Sequence, residues 1–178
     1  AIADGLLAGG ILPVMKHIPG HGRGTVDSHL ELPVADVALD VAADWDFAPF
    51  KGLKDLPMGM TAHIIFSACG MAPATQSPDM IQIIRNEIGF DGILMTDDIS
   101  MEALSGNVAE RTAASMAAGC DVVLHCNGDP AEMQAVTNAA GIMTDLATVR
   151  ADVALAQRKT PDDIDIAALS AEIEVLLA

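Results

Sequence analysis

Lys16-His17-Ile18-Pro19-Gly20-His21-Gly22-Arg23-Gly24-Thr25-Val26-Asp27-Ser28-His29 places three histidines, a lysine and an aspartate within fourteen residues of low apolar content. The stretch follows an apolar run, Ile11-Leu12-Pro13-Val14-Met15, that reads as a buried strand. Ionisable residues at the end of a buried strand, leading into a glycine-rich loop with Gly20, Gly22 and Gly24, point to a catalytic loop carried on a rigid element. The chemistry is expected here.

Working outward, 178 residues with 51% hydrophobic content suffice for one core, so a single domain over 1–178 is expected. A net charge of −16 argues against nucleic acid and anionic membranes as partners. Three cysteines, Cys69, Cys120 and Cys126, form no CxxC pair and are odd in number, which predicts reduced thiols in a cytoplasmic setting. Residues 1–15 are apolar but lack a basic leader, and Asp4 interrupts them, so neither a signal peptide nor a membrane span is predicted. The chain opens without methionine, in what reads as the last turns of a helix (Ala1 to Ala8), and is expected to be part of something longer.

Further strands are predicted over Met58 to Phe66, Phe90 to Met95 and Cys120 to His125, besides the first over Ile11 to Lys16. Between them lie helical stretches: Val34 to Trp45, Asp46 to Leu53, a segment opened by Ser77-Pro78 and ended by Gly89, and Val108 to Ala118 before Gly119. Pro130 to Leu146, Ala147 to Gln157 and a last segment opened by Thr160-Pro161 complete the chain. Strand alternating with helix is the pattern of βαβ units around a parallel sheet, open or closed. Polar groups end each predicted strand: Lys16-His17, His63, Asp97-Asp98 and His125-Cys126-Asn127. In a parallel sheet those ends share one side, where ligands bind.

Taken together, Lys16-His17-Ile18-Pro19-Gly20-His21-Gly22 with Asp27-Ser28-His29, Met60-Thr61-Ala62-His63, and Gly89-Phe90-Asp91-Gly92 leading to Thr96-Asp97-Asp98-Ile99-Ser100-Met101 resemble the family 3 glycoside hydrolases. Within that family the motifs are most similar to the bacterial β-N-acetylglucosaminidases of peptidoglycan recycling. The resemblance implies an α/β fold of the (β/α)8 TIM-barrel type. A whole barrel takes about 250 residues, and the four predicted strands match its C-terminal half, so this chain alone is expected to turn over little substrate.

The resemblance also implies a retaining mechanism: Asp97 as nucleophile, His29 as acid/base paired with Asp27, and Lys16 and His17 holding sugar hydroxyls. It implies no metal and no cofactor, and a small substrate carrying N-acetylglucosamine, as in muropeptides. Retaining glycosidases need a carboxylate that attacks and a second group that donates and then removes a proton. An imidazole with a pKa near 6.5 serves both roles at neutral pH, and a nearby aspartate fixes its tautomer.

Other readings compete. Asp97-Asp98 alone would serve as a helix N-cap pair, and Asp98 is not separated from Asp97 by local sequence. His17 and His21 share an HxxxH spacing, but Pro19-Gly20 breaks the helix on which such a pair binds zinc. A metal-dependent hydrolase on a barrel remains the rival enzyme class. Four strands without their complement would leave two raw edges, which predicts a homodimer as the non-catalytic alternative. His21, His63 and His125 are assigned no role, and Trp45 is expected in the core.

Overall fold

The computed structural model describes residues 1–177. Its strands are β1 (Val14–Ile18), β2 (Val34–Ala35), β3 (Met58–Thr61), β4 (Ile65–Phe66), β5 (Ile93–Asp98) and β6 (Val122–Leu124). Its helices are α1 (Ile2–Ala8), α2 (Leu39–Trp45), α3 (Ala48–Lys51), α4 (Pro78–Gln82), α5 (Val108–Ala118), α6 (Pro130–Ala140), α7 (Asp145–Ala156) and α8 (Ile166–Leu177). Four strands form one parallel sheet in the order β1-β3-β5-β6. Spatial order follows chain order without reversal, which is the singly wound course of a (β/α)8 barrel. The chain is an arc of such a barrel, and among the described residues β1 and β6 each pair on one side only.

Several boundaries move for identifiable reasons. The first strand begins at Val14, after Pro13, which lacks an N–H, and runs on through Lys16 and His17. Val34 and Ala35, expected to open a helix, instead pair in parallel with Ile65 and Phe66. The Pro33 carbonyl accepts the Ile65 N–H at 2.9 Å, and the helix waits until Leu39. The apolar run from Met58 to Phe66 is therefore two strands with Ala62-His63-Ile64 between them. Of the predicted helix 46–53 only Ala48–Lys51 forms.

The helix capped by Ser77 widens into a π-helical turn over Ile83–Ile88 before Gly89 stops it in the left-handed region. The strand carrying Asp97 and Asp98 spans Ile93–Asp98, later than Phe90–Met95, so neither aspartate caps a helix. Gly141 ends α6 earlier than expected, and Thr144 caps α7 with its side chain. The final helix starts at Ile166 rather than just after Pro161. The helix over Val108–Ala118 forms as predicted, with Asn107 and Glu110 satisfying its first N–H groups reciprocally.

The core gathers Met15 and Ile18 of β1, Ile64 and Phe66, Met80, Ile81, Ile83, Ile84 and Ile88, Phe90, Leu94 and Phe47. Phe47 meets Phe66 edge-on at 5.3 Å between centroids. Each such side chain contributes about 2–3 kcal/mol by leaving water. Gly59 is required in β3, because a Cβ there would sit 2.7 Å from Ile18 and 2.9 Å from Phe90.

A buried ion network closes the opposite end of the strands from the site. Asp121 accepts from Arg85 Nη2 at 2.6 Å, Arg150 Nη1 at 3.0 Å and the Leu94 N–H at 2.8 Å. Arg85 also donates to the carbonyls of Phe90 and Gly92, and Arg150 to Asp91. One carboxylate thus links β5, β6, the π-helical turn and α7. Asp121→Ala leaves two guanidinium groups without their shared partner and is expected to cost about 3–5 kcal/mol in urea unfolding. A loss below about 1 kcal/mol would show that this network does not hold the arc together.

Candidate active site

Both β1 and β5 break register at their C-terminal ends. Lys16 pairs with Met60 and Ile18 with Thr61, so His17 is the extra residue. Met95 pairs with Val122 and Asp98 with Leu124, so β5 carries one more residue than β6 around Asp97. Such bulges re-aim side chains. Here His17 Nε2 comes to 3.3 Å from Asp97 Oδ2, across the intervening β3. Asp97 Oδ1 accepts the Asp98 N–H at 2.8 Å, which fixes the carboxylate plane, and its side chain is partly open to solvent.

Asp98 is engaged differently. Its carboxylate accepts from Ser100 Oγ–H, from the Ser100 N–H at 3.0 Å and from the Cys126 N–H at 3.1 Å. Burial raises its pKa, but the Ser100 and Cys126 bonds together outweigh burial and hold the carboxyl below its ordinary value. The two neighbours, indistinguishable in the sequence, thus divide into a braced carboxylate at 98 and a freer one at 97.

Burial foremost lowers the pKa of His17, while the Asp97 charge opposes the shift and Lys16, His21 and His29 add to it. His17 is therefore a neutral imidazole at neutral pH. Lys16 is solvent-exposed beside it. The Lys16–His17 and Ile18–Pro19 peptides are cis.

The loop beyond β1 is held at both ends. Arg23 Nε donates to Asp46 Oδ2 at 2.7 Å, and Gly20, at φ +144°, lies against the Asp46 backbone where a Cβ would crowd it at 3.1 Å. Asp27 Oδ1 accepts both the His29 N–H at 2.9 Å and the His29 ring Nδ1–H at 2.7 Å. Those two bonds, backbone first, lower the Asp27 pKa. They also leave Nε2 of His29 as the free ring nitrogen, with the ring largely exposed. The His29 carbonyl accepts the Glu102 N–H at 3.2 Å, which docks this loop onto the segment following β5.

The structure therefore brings His17 together with Asp97, and pairs Asp27 with His29 on a loop tied to the same strand end. His125 bonds Glu132 at 3.1 Å. Trp45, expected in the core, is 74% exposed because α2 buries only Ala42 and Phe47 fills the adjacent core position. It lines a cleft of about 410 Å3 with Lys16, His17, Gly20, His21 and Gly22. Sequence reasoning assigned no role to His63, which contacts the Asp98 carbonyl; its place at a strand end was the available signal. Among the described residues no three His, Cys, Asp or Glu side chains converge as a metal site.

These features define a half-barrel whose C-terminal rim carries a carboxylate beside an imidazole and an Asp–His pair on a docked loop. The chain belongs to glycosyl hydrolase family 3, matching the N-terminal domain of that family over residues 1–159. It is 35% identical to a β-hexosaminidase of Actinobacillus pleuropneumoniae serotype 3 over 166 residues, which are 90% of this chain and 48% of that protein. The chain thus spans about half the length of this relative. Among solved structures it is similar to the family 3 β-N-acetylglucosaminidase from Paenibacillus sp. str. FPU-7, with a TM-score of 0.81 and 26% identity over 92% of this chain and 34% of that one. It is also similar to NagZ from Neisseria gonorrhoeae in complex with N-trifluoroacetyl-D-glucosamine, with a TM-score of 0.75 and 30% identity over 97% and 49% of the two chains.

Asp98→Ala is expected to lose about 2 kcal/mol or more near neutral pH, measured by urea unfolding. Because the folded carboxyl is held below its ordinary value, its contribution is present above that value and lost as pH falls through the lowered one. The stability gap between wild type and variant should therefore close on acidification. A gap independent of pH would assign the loss to packing.

Proposed function

We propose that this chain is the C-terminal half of the barrel of an exo-acting, retaining β-N-acetylhexosaminidase that removes terminal N-acetylglucosamine from cell-wall fragments in the cytoplasm. The observation that carries this reading is the His17–Asp97 approach at 3.3 Å on the rim where the Asp27–His29 pair docks. Family membership and a similar structure described with N-trifluoroacetyl-D-glucosamine support the sugar class. Free cysteines at 69, 120 and 126 support a reducing compartment.

In the proposed reaction the Asp97 carboxylate attacks the anomeric carbon as the bond to the leaving oxygen breaks, and His29 Nε2–H protonates that oxygen. The resulting glycosyl-aspartate ester is then hydrolysed. Nε2, now without its proton, accepts one from water, whose oxygen bonds to the anomeric carbon and releases the Asp97 carboxylate. Asp27 keeps the second ring proton on Nδ1 in both steps, and so directs Nε2 at the substrate. Lys16 donates to sugar hydroxyls, while neutral His17 turns its one N–H, on Nε2, toward Asp97 and accepts from a hydroxyl through Nδ1.

The chain alone is expected to be nearly inactive and to gain activity when mixed with the complementary N-terminal half of a relative's barrel. In that complemented enzyme a fluorinated N-acetylglucosaminyl donor should label Asp97. A label on Asp98, or none, overturns the assignment. His29→Ala should slow release of a sugar leaving group by about 100- to 10,000-fold, and an activated aryl leaving group much less. Equal losses for both would remove His29 from the acid role. The metal-dependent alternative is separated by chelator, which should leave this activity intact.

A second reading follows from the edges of β1 and β6, which are unpaired among the described residues. We propose that two copies associate through them, against the repulsion of a net charge of −16 each. Light scattering should then report a dimer whose population rises with salt; a monomer at every ionic strength counts against it.

A further inference from the structure

His63, between β3 and β4, is 0% exposed, and both ring nitrogens have partners. Nδ1 lies 2.8 Å from Thr75 Oγ1 and Nε2 lies 3.1 Å from the Asp98 carbonyl oxygen. A carbonyl only accepts, so Nε2 carries a proton. Burial foremost holds the ring neutral, against the opposing influence of the Asp98 carbonyl and the charges of Asp97 and Asp98; His17 acts with burial. A neutral ring has one N–H, so Nδ1 accepts and the Thr75 hydroxyl donates to it. Thr75 Oγ1 in turn accepts from Thr61 Oγ1–H at 2.8 Å. The Ala62 carbonyl, 3.0 Å from Thr75 Oγ1, competes for the same hydroxyl proton. Were it to win, Nδ1 would have to donate as well, and the buried ring would carry a charge.

The peptide group joining Asp98 to Ile99 is thereby held on both sides. Its carbonyl accepts from His63, beyond β3, and its N–H donates to the Leu124 carbonyl of β6 at 3.0 Å. This is the first peptide after the one whose N–H fixes the Asp97 carboxylate. We infer that His63 is a positioning residue for Asp97: in the Nε2–H tautomer selected by Thr75, it anchors the end of β5 and so aims the Asp97 carboxylate at His17. The inference rests on the nucleophile assignment made above, and deepens it by naming what holds the nucleophile.

Imidazole 15N NMR on the 178-residue chain tests the tautomer directly. His63 should stay neutral with its proton on Nε2 between about pH 5.5 and 8. The His17 titration then reports whether Asp97 stays in place, since the Asp97 charge favours protonated His17 while Lys16, His21 and His29 oppose it. His63→Leu should move the His17 midpoint to lower pH, and His63→Gln, whose amide N–H can reach the Asp98 carbonyl, should restore it. Thr75→Val frees the other tautomer and should lower the His17 midpoint as well; it decides the matter should His63→Leu not fold. In the complemented enzyme, His63→Leu should label at Asp97 about 100-fold more slowly than wild type.

A wild-type His63 that titrates in this range or carries its proton on Nδ1, or a His17 midpoint unmoved in both Leu and Val variants, overturns the positioning role. Wild type that resists labelling at Asp97 while the NMR results hold overturns the nucleophile assignment instead, so the two failures are distinct.

Discussion

The Asp98 carboxylate is the constraint on which the arrangement of this rim depends. Three donors, two from Ser100 and one from the backbone of Cys126, converge on it where the strand ends and the chain must turn. Removing a carboxylate from water at the end of a sheet is costly unless its lone pairs are satisfied. Here they are satisfied by groups from β5's own turn and from the segment after β6, so the charge itself joins the two βα units. Because residue 98 absorbs that duty, residue 97 keeps a carboxylate committed only to one backbone N–H and a neighbouring imidazole. One of two adjacent and chemically identical side chains is made structural, and the other is left available.

The same division recurs across the molecule. At the far end of the strands, Asp121 is enclosed by Arg85, Arg150 and the Leu94 N–H. At the rim, His29 is exposed and held only by Asp27 and a single backbone bond to Glu102. Strands thus supply Asp97 and His17 from beneath, while the Asp27–His29 pair, proposed above to transfer the proton, sits exposed on a loop. A chemistry in which one group must stay fixed and another must follow the leaving group suits such a division.

Much of this was legible in the residues. The alternation of apolar runs with helical periods announced parallel βα units, and the polar strand ends announced a shared polar rim. The Asp27-Ser28-His29 spacing announced a side-chain pair, because an aspartate two residues before a histidine on a turn can accept both its N–H and its ring proton. What was not legible depended on tertiary contact. Val34 and Ala35 read as helix until Ile65 and Phe66 offer them a partner. The bulges at His17 and Asp97 leave no local trace, since an extra residue in a strand is defined only by the strand opposite. The separate duties of Asp97 and Asp98 are invisible for the same reason. Trp45 was misplaced because an aromatic in an apolar helical run is normally core, and only the short α2 and the position of Phe47 turn it outward.

That outward indole has a practical consequence. It is the only tryptophan in a chain without tyrosine, so near-ultraviolet emission from the protein arises from a single chromophore. The chromophore borders the same cleft as His17 and the glycines of the loop after β1. Any occupant of that cleft, or any movement of the loop over it, changes the polarity around one fluorophore, and the molecule carries an intrinsic optical reporter beside His17 and the loop after β1.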